Sequence, residues 1–209
     1  MTDPKSPMSS DRTSGRSRRQ LWLLIAIFFA PLATAFLLYY GLEGWRPSGS
    51  TNQGELIQPA RTLPAFALPT LEGTMFESES LRGKWNLVYI GDGQCGQRCR
   101  DALVLMRQSR LALNEDLVRV QRIFLTTAHC CDQTYLQSEH PGLIIAQAGT
   151  PAGQPLLRVF PGTPAVGTEV GYIYIIDPLG NLMMRYAPEA PRKALLEDLE
   201  KLLKLSHIG

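Results

Sequence analysis

The sequence predicts an α/β domain, a mixed sheet flanked by helices, that follows a single transmembrane helix. Three observations support this prediction. Residues 21–40 form a run of twenty uncharged residues. In the rest of the chain, short apolar runs typical of strands alternate with helical patterns. All four cysteines lie in that second part of the chain, in two close pairs.

The uncharged run is long enough to cross a membrane once, because twenty helical residues span about 30 Å. Four arginines come before it and the first charge after it is Glu43; the arginines are Arg12, Arg16, Arg18 and Arg19. The positive-inside rule then predicts a cytoplasmic N-terminus and a domain on the periplasmic, outer side of the plasma membrane. The alternative is a cleaved signal peptide, since residues 33–35 have a small-x-small pattern. We favour the anchor, because apolar residues continue beyond that site.

These features divide the chain into four parts. Residues 1–20 are a basic cytoplasmic tail, 21–40 the transmembrane helix, 41–60 a linker, and 61–209 one domain. A domain of about 150 residues buries enough surface for one core. The net charge of +2 comes mostly from the N-terminal arginines. Since the exported part has no basic run, we expect a membrane and protein partners rather than nucleic acid.

The first half of the domain predicts a β-α-β unit. Residues 85–90 read as a buried strand that leads through a glycine-rich turn into a helix beginning near Cys95. A second strand is expected within residues 117–127. Right-handed crossover connections make two such strands parallel neighbours.

The second half predicts a hairpin and a closing helix. Residues 171–176 and 182–186 are two strands joined by a turn with proline and glycine, and Pro191 opens the last helix. Residues 66–68 and 75–76 predict a small leading hairpin, and the stretch between the two halves is irregular. This order of elements matches a thioredoxin-like mixed sheet.

The spacing Cys95-x-x-x-Cys99 places two sulfurs on one face of a helix start. There they can form a disulfide or bind one soft metal ion such as copper(I). The helix dipole favours a thiolate at Cys95, which we expect to be the more exposed thiol, and Arg98 and Arg100 add positive charge. The alternative is a pair of ordinary buried core cysteines. The polar, glycine-rich neighbours favour a redox or metal site.

A second group follows the second strand of the β-α-β unit: His129, Cys130 and Cys131. Because parallel strands end at the same sheet edge, this group is expected near the first cysteine pair. Three interpretations remain open: an accessory redox pair, replacement metal ligands, or a chance pair in a solvent loop. His140 and His207 are expected to be solvated.

Several of these features together resemble the Sco (SenC) family. They are the membrane segment, the entry FALPTLEGTMFESESLRGKWNLVYIG, the Cys95-x-x-x-Cys99 pair, Asp132 in the following loop, and YIYIIDPLGNL. The resemblance implies a thioredoxin-like domain that serves copper delivery and thiol redox chemistry in cytochrome c oxidase assembly. One departure concerns the family's third copper ligand. Where the family has a histidine, five residues before Tyr174, this chain has Glu169, a poor ligand for copper(I).

Three functions follow from the residues and the resemblance. The leading one is thiol-disulfide exchange through Cys95 and Cys99 in oxidase assembly, with a respiratory oxidase subunit or another assembly protein as partner. The second is a copper(I) metallochaperone that uses the same cysteines. The third is a membrane-tethered interaction module without catalysis.

Overall fold

The computed structural model describes residues 14–41, 52–128, 133–162, 171–206 and 208. The chain divides into two compact units, residues 1–50 and 51–209. The first unit contains helix α1, Ser14–Gly41. Within α1, Arg18–Leu38 has a mean hydropathy of 2.5 and is long and apolar enough to cross a membrane. A helix of this kind near the N-terminus fits a membrane anchor or a signal peptide.

Pro31 lies inside α1 without ending it. Proline cannot donate a backbone hydrogen bond, so it interrupts the helical ladder at one point. The helix nevertheless continues for ten more residues, and Thr34 donates its hydroxyl to the carbonyl of Ala30 at 2.8 Å. Such a proline is tolerated in a membrane-spanning helix.

The second unit carries all the described strands. Its elements in chain order are β1 (Glu55–Thr62), β2 (Ala67–Pro69), β3 (Met75–Glu77), β4 (Trp85–Gly91), α2 (Gln97–Ala112), β5 (Val120–Thr126), α3 (Gln133–Glu139), β6 (Leu143–Gln147), α4 (Gln154–Leu157), β7 (Ile173–Ile176), β8 (Asn181–Tyr186) and α5 (Arg192–Leu205).

Six strands form one mixed sheet in the order β1-β8-β7-β4-β5-β6. β4, β5 and β6 run parallel, whereas β7, β8 and β1 pair antiparallel. The predicted β-α-β unit and the β7–β8 hairpin are therefore confirmed. The small hairpin β2–β3 is also confirmed, and Leu71 at its turn donates to the carbonyl of Ile145 in the edge strand β6 at 3.2 Å.

Both faces of the sheet are buried, which explains the nearly continuous apolar runs in its central strands. Side chains alternate along β4, so that Leu87 and Tyr89 face one core and Val88 and Ile90 the other. The first core also holds residues of α2 and α5, and the second holds residues of the β2–β3 hairpin and α4. Packing of α2 against the first core fixes the helix that carries Cys99.

Four elements lie where the sequence patterns predict none. β1 lies almost entirely in the predicted linker, and α3, β6 and α4 lie in the stretch expected to be irregular. β1 is an edge strand with one buried residue, Ile57, and it contains Pro59, so it lacks the alternation that identifies a strand. The other three elements are seven residues or shorter, which is too short for periodicity to reveal.

Asp198 ties the segment before β1 to α5. Its Oδ2 accepts hydrogen bonds from the backbone N–H groups of Gln53 and Gly54, both at 2.8 Å, and from the hydroxyl of Tyr186 at 2.9 Å. Burial and this carboxylate raise the pKa of Tyr186. These bonds join residues 53 and 54, which precede position 61, to the second unit.

His140 is 1% exposed and lies directly after α3. The expectation that it is solvated is wrong, because the chain turns inward at this point to enter β6. His207 lies outside the described residues.

Candidate redox site at Cys95 and Cys99

The turn between β4 and α2 presents Cys95 at the start of the helix. Asp92 Oδ1 accepts the backbone N–H of Gln94 at 3.1 Å, and Gly93 has a φ of +83°. Cys95 itself has a φ of +49°, a left-handed conformation that costs a non-glycine residue roughly 1–2 kcal/mol. The helix then begins at Gln97, two residues after the predicted start.

Cys95 and Cys99 form a disulfide, with their Cα atoms 4.9 Å apart. Both residues are buried in the first core, at 2% and 0% exposure. Cys95 is therefore not the exposed residue that the sequence predicts, at least while the disulfide is closed. The burial expected of ordinary core cysteines is present, but here the two sulfurs are bonded to each other.

The helix start supplies positive potential to this pair. The first helical hydrogen bond runs from the N–H of Arg100 to the carbonyl of Gly96 at 3.1 Å. The N–H groups of the three preceding residues, Cys99 among them, consequently have no acceptor within the helix. Such N–H groups favour negative charge on a nearby sulfur once the disulfide is reduced.

Arg100 connects Cys95 to helix α3. Its Nε donates to the carbonyl of Cys95 at 3.3 Å, and its Cζ lies 4.7 Å from the ring centroid of Tyr135. This places a guanidinium at Cys95 and holds it by a cation–π contact. Arg98 is also exposed but lies beside Gly171, because residues two apart on a helix point to nearly opposite sides. The sequence pattern does not distinguish these two arginines, and Tyr135 carries no signal in it.

The second strand of the β-α-β unit ends beside this turn. The backbone N–H and the hydroxyl of Thr127 both donate to the carbonyl of Gly91, at 2.8 and 3.1 Å. The next residues, His129, Cys130, Cys131 and Asp132, lie outside the described residues, as does Glu169. Their roles as accessory redox groups or ligands remain predictions.

Among the described residues, no cluster of three or more histidine, cysteine or acidic side chains could hold a metal ion. Cys95 and Cys99 are the two cysteines in that part of the chain. A soft ion such as copper(I) accepts thiolate ligands. Of the three positions at which the resemblance implies a copper ligand, the structure describes two, Cys95 and Cys99.

A family model described as "Transmembrane-like, thioredoxin-like, C-terminal domain" matches residues 85–206, more than half of the chain. The chain belongs to this family. No curated protein matches the sequence. On this chain the match runs from β4 to α5, and so includes the Cys95–Cys99 turn and the β7–β8 hairpin.

The structure of this chain is similar to solved structures of Sco1/SenC family proteins. Yeast Sco1 aligns with a TM-score of 0.58 at 19% identity, over 69% of this chain and 99% of its own. Copper-bound ScoI from Bradyrhizobium japonicum has a TM-score of 0.53 at 19% identity, over 67% of this chain and 98% of its own. BsSco, described as having a disulfide switch, has a TM-score of 0.53 at 13% identity, over 73% and 99%. At these identities the likeness shows a shared fold.

Proposed function

We propose that the domain carries out thiol-disulfide exchange through Cys95 and Cys99 during assembly of the copper site of cytochrome c oxidase. The observation that carries the proposal is the disulfide between these two residues at the start of α2. A disulfide that closes a five-residue loop removes little entropy from the unfolded chain. It therefore serves chemistry better than stability.

The exchange has two balanced steps. In the reduced chain, the Cys95 thiolate attacks a partner disulfide, forms a mixed disulfide and releases one partner thiolate. The Cys99 thiolate then attacks the Cys95 sulfur, closes the Cys95–Cys99 bond and releases the second partner thiolate. Two electrons pass to the partner, and the protons lost by the two thiols are taken up by the partner thiolates. The reverse sequence oxidises a partner dithiol.

Access to the sulfurs requires the turn to move, because both are buried in the disulfide form. Breaking the bond frees Cys95 from its left-handed conformation at φ +49°. Relief of that strain favours movement of Cys95 outward in the reduced form. Arg100 then keeps a positive charge near the thiolate through its contact with Tyr135.

The N-terminal helix and the structural neighbours support a proposal for the location and the partner. We infer that α1 anchors the domain on the periplasmic side of the plasma membrane, because arginines precede its apolar stretch. BsSco is described as a member of a family of cytochrome c oxidase assembly proteins. We extend that role to this chain, with a respiratory oxidase subunit or another assembly protein as partner.

His129, Cys130 and Cys131 are proposed as an accessory group for the same exchange. The support is topological, since Thr127 is hydrogen-bonded to Gly91 immediately before the Cys95 turn. A disulfide between adjacent cysteines is strained and easily reduced, so it is suited to accepting two electrons from a neighbouring dithiol, which is thereby oxidised to a disulfide.

Copper(I) carriage is the second candidate, favoured by two sulfurs on one helical turn and by the copper-bound Bradyrhizobium neighbour. The reduced chain should bind copper(I) and lose that binding in Cys95→Ser, since thiolates suit this ion. Copper(II) should bind weakly, and Glu169→His should strengthen it. If the wild type binds copper(II) tightly, His129→Ala identifies the source: loss of binding assigns the ligand to His129, and retention refutes this ligand set.

The main test is a redox titration of the full chain in detergent with glutathione buffers. A Cys130→Ser/Cys131→Ser chain isolates the first pair, and a Cys95→Ser/Cys99→Ser chain isolates the second. We expect the first pair to titrate as one two-electron transition within the glutathione range. A disulfide that stays closed at every ratio would instead indicate a structural bond and favour the non-catalytic interaction module.

A further inference from the structure

A cavity of about 480 Å³ lies between the β2–β3 hairpin and the edge strand β6, and its wall includes no residue of the cysteine turn. Its volume falls within the range of small-molecule sites in proteins, about 300–1,000 Å³. The apolar part of its wall includes Phe76, Leu143 and Ile145, which are buried. The polar part includes Thr70 and His140. A ligand here would meet both apolar and polar surface.

His140 is the unusual residue of this wall. Its side chain is 1% exposed, and within the described part of the chain neither ring nitrogen has a hydrogen-bond partner. Its ring meets the edge of Tyr135 with the centroids 5.7 Å apart. A buried polar group without a hydrogen-bond partner destabilises the folded state. A ligand that accepts or donates a hydrogen bond at His140 would remove this destabilisation.

Positive charge surrounds this histidine. Burial, followed by the charges of Arg107 and Arg122, lowers the pKa of His140 to about 4, while Glu139 opposes the shift. Arg107 is paired with Glu139, its Nη1 lying 3.6 Å from the carboxylate. At neutral pH the imidazole is therefore uncharged and carries one N–H donor.

Arg122 does not line the cavity itself, but it is a buried cation, at 3% exposure, whose charge acts on His140. Its Nη2 donates to the carbonyl of Pro141 at 2.6 Å, but its Nε and Nη1 have no partner among the residues described. Burial and the nearby Arg110 and Arg107 lower its pKa to about 10, so it remains charged at neutral pH. Proteins rarely leave a buried charge without a counter-charge.

The sign of this charge selects the class of ligand. Arg107 and Arg122 repel a metal cation, and a single neutral histidine is a weak metal site. Glu72 is the one acidic side chain that the described residues contribute to the wall, and it is exposed to solvent. Water therefore screens its repulsion of an anion more than it screens the attraction of the buried Arg122.

We propose that this cavity binds a small molecule that carries a carboxylate or phosphate group on a partly apolar body. The His140 ring N–H donates to an anion oxygen, Arg107 and Arg122 supply the positive potential, and Phe76, Leu143 and Ile145 contact the apolar body. The site is independent of the proposed cysteine chemistry. A Cys95→Ser/Cys99→Ser chain should bind the same ligands, so failure of one proposal leaves the other standing.

The test is calorimetric titration of the full chain in lipid nanodiscs with benzoate, phenyl phosphate and the neutral analogue benzamide at fixed ionic strength. Benzoate and phenyl phosphate should bind and raise the unfolding temperature, and benzamide should bind at least tenfold more weakly. The proposal is overturned if neither anion binds, or if benzamide binds as tightly as benzoate.

Two variants and one control locate the site. His140→Phe removes the donor and Arg122→Met removes the buried charge, and each should weaken benzoate binding at least tenfold. Arg158→Met is the control, because Arg158 is exposed, is not part of the wall and is not one of the charges that act on His140. Equal effects of Arg122→Met and Arg158→Met would refute the site. Carbon-13 labelling of the histidine rings gives a test that needs no variant. Benzoate should shift the buried His140 signal, and an unchanged signal at saturating benzoate would also refute the site.

Discussion

The two ends of the parallel strands β4, β5 and β6 differ in whether their polar groups are bonded to partners. At the carboxyl ends, the turn that holds Cys95 is closed by bonds: the disulfide to Cys99, the contact from Arg100, and the bonds from Thr127 to Gly91. At the amino ends, Nε and Nη1 of the buried Arg122 and both ring nitrogens of His140 lack hydrogen-bond partners among the described residues. The first end is complete and suited to making and breaking one bond. The second has hydrogen-bonding capacity for a ligand.

The largest effect is expected when the Cys95–Cys99 disulfide, at the carboxyl ends of the strands, can no longer form. Reduced Cys99→Ser mixed with glutathione disulfide should accumulate an adduct of one glutathione at Cys95, because the resolving thiol is missing. Wild type should release that glutathione and close its own disulfide. Intact mass spectrometry measures both, in chains that carry Cys130→Ser and Cys131→Ser. An adduct that persists equally in wild type would show that Cys99 does not resolve it.

The next effect concerns acid stability at the amino end. His140 has a folded pKa of about 4, below the ordinary 6.5, so the unfolded chain takes up the proton first as the pH falls. Protonation of this histidine in the unfolded chain therefore lowers the free energy of unfolding as the pH falls from 6.5 to 4, by about 3 kcal/mol in total. Above pH 6.5 this loss is absent. Arg107 and Arg122 oppose protonation and Glu139 favours it. Urea unfolding of wild type and His140→Phe at pH 7 and pH 4.5 should show a smaller acid loss in the variant. Parallel losses in the two chains would contradict this role of His140.

The smallest effect is expected at the cysteine turn, on the alkylation rate of reduced Cys95. Arg100→Gln removes a hydrogen bond and a charge worth about 1 kcal/mol at an exposed position, so alkylation of reduced Cys95 should slow roughly fivefold. Arg98→Gln makes the same change of charge two residues away, where the side chain lies beside Gly171. Its alkylation rate should stay close to that of wild type. Equal slowing by both variants would mean that only general charge matters.

The two ends of the parallel strands also differ in how far the sequence could predict them. The cysteine turn was predictable because its parts are consecutive: a buried apolar strand, glycines, two cysteines four apart and a helix. At the amino ends, Arg107 comes from α2, Arg122 from β5 and His140 from the connection after α3. No local sequence pattern indicates that these three residues lie close together. His140 was expected to be solvated because it precedes a proline, whereas the structure buries it under α3.

The strands likewise show that local sequence patterns predict some elements of the fold and miss others. β4, β5, β7 and β8 were predictable because their apolar runs are bounded by turn residues such as Asp177 and Gly180. Asp177 Oδ1 accepts the backbone N–H groups of Leu179 and Asn181, and Gly180 has a φ of +90°. β1 and β6 are the sheet edges, and the first is mostly exposed while the second is five residues long. Their place in the sheet depends on pairing with β8 and β5, which local patterns do not record.

The most direct measurement of the central proposal is capture of the redox partner in native membranes. Cells expressing the Cys99→Ser chain are treated with acid to quench exchange, and disulfide-linked species are separated without reductant and identified by mass spectrometry. Cys95→Ser/Cys99→Ser is the control, since it lacks the attacking sulfur. We predict a mixed disulfide between Cys95 and a respiratory oxidase subunit or another assembly protein. Absence of any species beyond those of the control would contradict thiol-disulfide exchange by this domain.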